Sequence, residues 1–459
     1  MNNEQSGLLN TNHPWSFDLI RSLQAAHQLV VYRGLLQDKV VTSFITLLKT
    51  LTSYPSSAIE TLDAYHGFVH NLISQATPGK WPDAWQRYLV TAILADENPF
   101  SRQAEYLRLE DISPSLREAA RHDLNCLQQM FLTPADSVRQ ATIERTGQVL
   151  MAEPGTSLPS WQNMMFTGEE SPVGTTVLLN SARWGDDIDQ VAAYYHAHST
   201  GCFQRYLAYR WDKCREEGCL IGIKRPDAVE PQDLVGLHQQ RAQLDTNTQY
   251  FLAGLPANHV LLYGPRGTGK TSMVKSLLTR YHNQGLRIIE LPKQHLDDLP
   301  GILDLLNNRA LHFIVFVDDL SFEDYEVDYK VLKTVLEGGI EKIPANVLIY
   351  ATSNRRHIIK ELFSDRDNEI HGGDTVQEKL SVADRFGLTI TFPFPNQQSY
   401  LEIVRGLASR HRLDLSQDDL ERQALQWEKS HSGPSGRTAR QFVDHLVAES
   451  GFKCLGVAK

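Results

Sequence analysis

HVLLYGPRGTGKTSMV, residues 259–274, decides the fold. Val260, Leu261, Leu262 and Tyr263 make a short apolar run of the kind that becomes a buried strand, and a polar, glycine-bearing segment follows at once. Gly264, four residues, then Gly269, Lys270 and Thr271 spell the phosphate-loop pattern GxxxxGK[ST]. Glycines at 264, 267 and 269 have no Cβ, so the backbone can take positive φ and curl around an anion with its N–H groups turned inward. A helix opening near Lys270 adds the positive end of its dipole beneath the phosphates. Lys270 is expected to reach the β- and γ-phosphates and the Thr271 hydroxyl to sit on a magnesium ion. Gly264, Pro265, Arg266, Gly267, Thr268, Gly269, Lys270, Thr271 and Ser272 are therefore the candidate cradle for a nucleoside triphosphate.

The rest of the chain gives that loop a large, globular setting. With 459 residues and 41% hydrophobic content there is material for two or three cores. A net charge of −10 argues against a protein that coats nucleic acid by bulk electrostatics, and favours protein or small-molecule partners. No apolar run reaches the length of a membrane span, and the first residues, MNNEQSGLLNTN, have no basic and apolar leader pattern, so a cytoplasmic location is expected. Five cysteines fit reduced thiols better than a disulfide framework. His196, His198, Cys202, Cys214 and Cys219 cluster in sequence, but their spacings miss the usual zinc pattern; buried thiols and ordinary helix histidines are the expectation.

Upstream of the loop the pattern is helical. Residues 17–36, 40–51, 58–73 and 85–94 place apolar side chains at three- and four-residue spacings. Ser113 with Pro114 starts a further helix, with Ser115 and Glu118 in capping-box register and Leu124, Leu127 and Phe131 turned inward. Residues 152–174 are rich in Pro, Gly and Ser and read as an irregular connector. Residues 187–211 read as aromatic-rich helix, whose Tyr194, Tyr195, Phe203, Tyr206, Tyr209 and Trp211 suit a core better than a base-stacking surface.

Downstream, strand candidates at 286–291, 312–317, 346–351 and 388–392 alternate with helical segments at 272–282, 299–306, 325–337 and 358–362. That alternation predicts a parallel sheet covered on both faces, with the ligand at the carboxyl ends of the strands. The third strand ends in Asp318 and Asp319. One carboxylate there can hold magnesium through water and its neighbour can polarise the water that attacks the γ-phosphate. The fourth ends in Thr352, Ser353 and Asn354, where a polar side chain can orient the same water.

Taken together, GPRGTGKT, the IVFVDD strand, ATSN, the group Asp384, Arg385 and Phe386, and GRTARQF resemble the successive motifs of the AAA+ ATPases. Longer runs, among them LAGLPANHVLLYGPRGTGKTSMVKSLL, FVDDLSFEDY, LEGGIEKIPANVLIYATSNRRHIIKE and SVADRFGLTITF, resemble a bacterial family of ATP-binding proteins known only as a domain of unknown function, over residues 194–447. The resemblance implies an α/β AAA+ P-loop NTPase core, a five-stranded parallel sheet between helices, with an all-α N-terminal domain and a small helical lid. The expected division is a helical N-terminal domain at 1–190, a helical connector at 191–230, the core at 231–395 and the lid at 396–459.

ATP and Mg2+ are the implied ligands. Residues 264–272 would be the Walker A loop, Asp318 and Asp319 the Walker B pair, and Asn354 sensor 1. Leu234, Val235 and Gly236, after Asp233, would form the adenine-side turn. Arg385 would be the arginine finger inserted into a neighbouring subunit's site, so a homo-oligomer in the presence of ATP is implied. Arg437 would be sensor 2 on the lid, with Arg440 as the alternative, and either arginine pairing with an acid is the bland reading. The superfamily usually has Glu where this chain has Asp319, which makes binding surer than fast hydrolysis.

Residues 290–300, ELPKQHLDDLP, contain no aromatic and glycine pore loop, and no DNA-reading helix-turn-helix is expected beyond the lid. Arg355, Arg356 and His357 form a basic cluster that suits either a polyanion or adjacent subunit, or a solvated helix start; residues 365–374 read as a mobile loop. The leading expectation is an oligomeric ATPase that remodels or assembles a protein partner. The alternative is an ATP-controlled loader or switch with slow, partner-stimulated hydrolysis, acting on a complex that includes nucleic acid.

Overall fold

The computed structural model describes residues 14–53, 56–75, 79–80, 83–150, 158–162, 165–166, 176–179, 181–214, 217–321, 329–338, 342–354, 383–411, 413, 415–431 and 433–454. The basic cluster at 355–357, the helix expected at 358–362, the loop at 365–374 and most of the connector at 152–174 lie outside them. The chain divides into two compact units, Met1–Gln204 and Arg205–Lys459.

The first unit is built from helices, chiefly Pro14–His27, Lys39–Thr52, Ala58–Ser74, Ala84–Ala95, Pro114–Phe131, Ala135–Leu150 and Ile188–His198. Side-chain oxygens start them: Asp38 accepts the N–H groups of Val40 and Val41, and Ser57 and Glu60 form a reciprocal capping box. Phe44 stacks on Trp85 with ring centroids 4.1 Å apart, and Phe68 and Trp161 close the same aromatic core. A two-residue antiparallel pairing of Gly79–Lys80 with Met165–Phe166 is the departure from an all-α unit.

Two local expectations are corrected here. The helix read across residues 17–36 stops at His27, because the buried carboxylate of Asp123 takes the N–H groups of Val30, Val31 and Tyr32 at 2.9, 2.7 and 2.9 Å and so removes them from a helical ladder. Ser115 and Glu118 form no capping box: Ser113 caps Leu116, and Glu118 pairs with Arg121 at 2.9 Å. His196 and His198 bond to the carbonyl oxygens of Glu105 and Tyr194.

The second unit is organised on a seven-stranded sheet. Its strands, numbered here within the sheet, are β1 (Ala208–Cys214), β2 (Glu217–Gly222), β3 (Val260–Tyr263), β4 (Leu286–Glu290), β5 (His312–Val317), β6 (Val347–Ser353) and β7 (Leu388–Thr391). Their spatial order is β2-β1-β4-β5-β6-β3-β7, parallel throughout except for β2, which runs antiparallel to β1. β5 and β6 are buried almost along their whole length, as strands covered on both faces must be.

The sheet has two strands more than the expected five, and they come from residues read as helical connector. Helix ends at His198, a short turn of helix spans Cys202–Arg205, and Ala208–Cys214 pairs antiparallel with Glu217–Gly222. The physical signal is a period of two: Tyr209 and Trp211 are buried while Arg210 and Asp212 are exposed. Glycine permits the pairing. A Cβ on Gly218 would lie 2.0 Å from the Trp211 ring, so only a side chain of hydrogen lets the indole lie across β2.

The glycine loop joins β3 to the helix Lys270–Tyr281, whose Met273, Val274 and Leu277 pack under the sheet with Leu262, Ile288 and Ile314. The last three helices, Gln397–Arg410, Gln417–Ser430 and Gly436–Cys454, in the stretch expected to be the lid, pack around Tyr400, Val404, Leu420, Ala424 and Phe442. Tyr400 donates its buried hydroxyl to the Ala424 carbonyl at 3.1 Å, which locks the first lid helix to the second.

Candidate functional site

The loop leaves β3 through Gly264, whose N–H donates to the Ser353 carbonyl at 3.1 Å. Its φ is +154°, and a Cβ there would sit 2.1 Å from the Phe392 carbonyl oxygen, so no larger residue fits between loop and lid linker. Gly269, at φ +95°, turns the chain into the helix that begins with Lys270. The N–H groups of that first turn have no partners within the helix and face the loop's concavity.

Lys270 is buried, and its ammonium donates to the Gly264 and Pro265 carbonyls at 2.6 and 2.8 Å and to Asn354 Oδ1 at 2.9 Å. Desolvation lowers its pKa from the usual lysine value, opposed by the nearby charges of Asp318 and Asp319. Thr271 donates its hydroxyl to Asp318 Oδ1 at 2.8 Å. Asp318 and Asp319 follow directly on β5, and Asn354 follows β6, the strand lying between β5 and β3. Asn354 Nδ2 donates to Asp319 Oδ1, and Arg266 of the loop lies 3.7 Å from Asp319 Oδ2. Sequence positions 266, 270, 271, 318, 319 and 354 thus meet in one place through the parallel order of three strands.

A cleft of about 720 Å³ opens above them. Leu234, Val235, Gly236 and Leu237 form one wall, the glycine loop the floor, and Phe394, Ile403 and Leu407 of the lid side another. The same cleft is lined by Lys270, Asp318, Asp319 and Arg437 as well as by these apolar side chains, a combination that suits a nucleoside triphosphate. The donor set also suits magnesium: a hydroxyl and a carboxylate oxygen 2.8 Å apart, both hard ligands, beside the phosphate loop.

The two lid arginines differ. Arg437 joins the loop directly through its backbone N–H to the Gly267 carbonyl at 3.3 Å, and its guanidinium makes no ion pair among the described residues. Arg440 lies 3.7 Å from Asp233 Oδ2, and Arg410 pairs with the other oxygen of the same carboxylate. Arg385 is not brought to the cleft; its guanidinium pairs with Glu337 Oε1 at 2.9 Å.

Sequence reasoning passes over two contributors, Asp233 and Phe394, and names a third, Thr352, only as one of three polar residues ending the fourth strand. Asp233 was read only as the start of a turn, yet it ties the core to two lid arginines. Phe394, in FPFP between β7 and the lid, gave no signal beyond its prolines. Thr352 sits on β6 with its hydroxyl 2.5 Å from Asp318 Oδ1. Its neighbours in space are over thirty positions away in sequence, so no local pattern announces the contact.

Known proteins resemble parts of this chain. The chain is 33% identical over 151 residues to the Holliday junction branch migration complex subunit RuvB of Arthrobacter sp. (strain FB24), covering 30% of this chain and 41% of that protein. It is 27% identical over 183 residues to the Putative 26S proteasome regulatory subunit homolog MJ1494 of Methanocaldococcus jannaschii, covering 36% and 48%. It therefore spans less than half the length of these relatives. Among solved structures, the Thermotoga maritima RuvB branch migration motor matches 47% of this chain and 63% of its own at 16% identity, with a TM-score of 0.34. The family described as "Protein of unknown function (DUF815)" matches residues 204–450, more than half the chain and all seven strands, the glycine loop and the aspartate pair; the chain belongs to that family, and its second unit carries the α/β fold of the AAA+ ATPases.

Proposed function

We propose that this protein binds and hydrolyses ATP with magnesium, assembles into a homo-oligomer when ATP is bound, and uses that cycle in the cytoplasm to remodel or assemble a protein partner. The observation that supports this best is the convergence of Lys270, Thr271, Asp318, Asp319 and Asn354 at the mouth of the glycine loop. In this reading residues 231–395 are the catalytic core, 396–459 the lid, and the helices within 1–190 recognise the partner.

Each residue has a task set by its chemistry. Loop N–H groups and Lys270 bind the β- and γ-phosphates, with phosphate oxygens taking over the ammonium's contacts to carbonyls. Thr271 and Asp318 would hold magnesium, which when bound neutralises charge on the phosphate oxygens. Asp319 accepts a proton from the attacking water, Asn354 orients that water, the new bond forms to the γ-phosphorus and the bond to the bridging oxygen breaks. Arg437 supplies positive charge from the lid and Arg385 from the adjoining subunit. Leu234, Val235 and Gly236 line the base end.

A second reading, a switch with slow hydrolysis stimulated by a partner complex that includes nucleic acid, is favoured by two contacts: Asp319 is short and already engaged by Asn354 and Arg266. Magnesium-dependent turnover lost in Lys270→Ala and Asp319→Asn, with ATP-driven assembly lost in Arg385→Ala, is the expected result. Unchanged turnover in the first two would sink the enzyme reading. A monomer at every nucleotide condition would sink the shared site.

A further inference from the structure

We propose that Thr352 is the positioning residue of the aspartate pair, holding the Asp318 carboxylate for the metal and the Asp319 backbone, and through it the direction of the Asp319 carboxylate, for the attacking water. This rests on the ATPase reading and gives a task of its own to a residue that the ATSN stretch contains without assigning it one. Thr352 is 1% exposed and lies on β6, next to the end of β5. A hydroxyl has one proton and two lone pairs, and here both kinds of group are used. The proton goes to Asp318 Oδ1 at 2.5 Å, and the oxygen accepts the Asp319 N–H at 2.9 Å.

The backbone makes the same case. Asp319 has φ +52°, in the left-handed region, where a residue other than glycine stays only if its surroundings hold it. Thr352 does so twice, with its hydroxyl on the Asp319 N–H and its carbonyl accepting the Leu320 N–H at 2.7 Å. The turn fixed in this way sends Asp318 to Thr271 and Asp319 to Asn354, so consecutive carboxylates serve different partners. Valine would match threonine in shape, yet would leave the Asp319 N–H without its acceptor and free one side of Asp318.

The test compares full-length Thr352→Val and Thr352→Ser with the native chain. Turnover is measured against magnesium concentration, ATP binding without metal in EDTA, and folding by thermal melting. Thr352→Val is expected to lose about ten- to a hundredfold in turnover or in apparent magnesium affinity, as for other groups that orient metal ligands, while metal-free ATP affinity stays within about twofold. Thr352→Ser should recover most of that loss. Native turnover and magnesium dependence in Thr352→Val would overturn the proposal, as would equal losses in Val and Ser variants or a matching loss of metal-free binding. A native chain that binds no ATP under any of these conditions would overturn the ATPase reading itself, whereas a turning-over native chain with an unaffected valine variant removes Thr352 alone.

Discussion

Acid should weaken the strand pair that carries the site, through His259. This residue immediately precedes β3, and its Nδ1 accepts the Ile349 N–H of β6 at 3.0 Å while its carbonyl accepts the Leu388 N–H at 3.2 Å. The ring is therefore neutral when it makes the contact, and burial pulls its pKa from 6.5 down to about 4. An unfolded chain takes up a proton here below about 6.5, the folded one only near 4, so between those values the unfolded state binds more protons. The contribution is complete above the upper value, declines as pH falls, and is gone near the lower. The whole shift is worth at most about 3 kcal/mol, of which about 2 kcal/mol is lost between roughly pH 7 and pH 5.

The perturbation is His259→Asn, whose side-chain oxygen can take the place of Nδ1 without titrating. Urea unfolding, followed by the fluorescence of Trp211 and Trp427 in the second unit against a background from the first, gives stability at each pH. His312 and the carboxylates titrate in both chains, so the difference between the two profiles isolates His259. The native chain should lose about 2 kcal/mol more than the variant between those two pH values. Parallel profiles would refute the reasoning, because a neutral acceptor in that position could not then be what the fold requires.

Two further outcomes follow from the loop and the lid. Gly264→Ala places a methyl 2.1 Å from the Phe392 carbonyl, so stability should fall by about 2 kcal/mol or more and ATP binding with it; a native melting temperature would contradict the close approach. Arg437→Ala should lower turnover about tenfold or more with little change in stability. Arg440→Ala, which loses a half-exposed, 3.7 Å ion pair to an Asp233 that keeps Arg410, should cost under about 1 kcal/mol and leave turnover within about threefold; the reverse ranking would exchange their roles.

How far the chain could be read without coordinates varied with the range of the signal. The strand, glycine loop and helix around Lys270 are specified within sixteen consecutive residues, and both the apolar run and the glycine positions report on local backbone geometry. Asp318 and Asp319 were legible because an apolar strand leads straight into them. Residues 208–222 were misread because their aromatics suit a helix face as readily as a strand, and only the pairing that slides Gly218 under Trp211 distinguishes the two. The helix read through residue 36 failed for a similar reason: Asp123, far along the chain, removes its backbone donors.

By itself, then, the sequence determined that a strand, a glycine loop and a helix follow one another, that two aspartates end an apolar strand, and that strands and helices alternate around them, since each of these is written in neighbouring residues. Tertiary structure alone decided that Arg440 is taken by Asp233 while Arg437 reaches the loop, that Arg385 turns to Glu337, and that Thr352 spans the two aspartates. Those choices depend on which side chains the strand order β5-β6-β3 and the closing lid bring within hydrogen-bond reach, and that order is set by packing over the whole sheet.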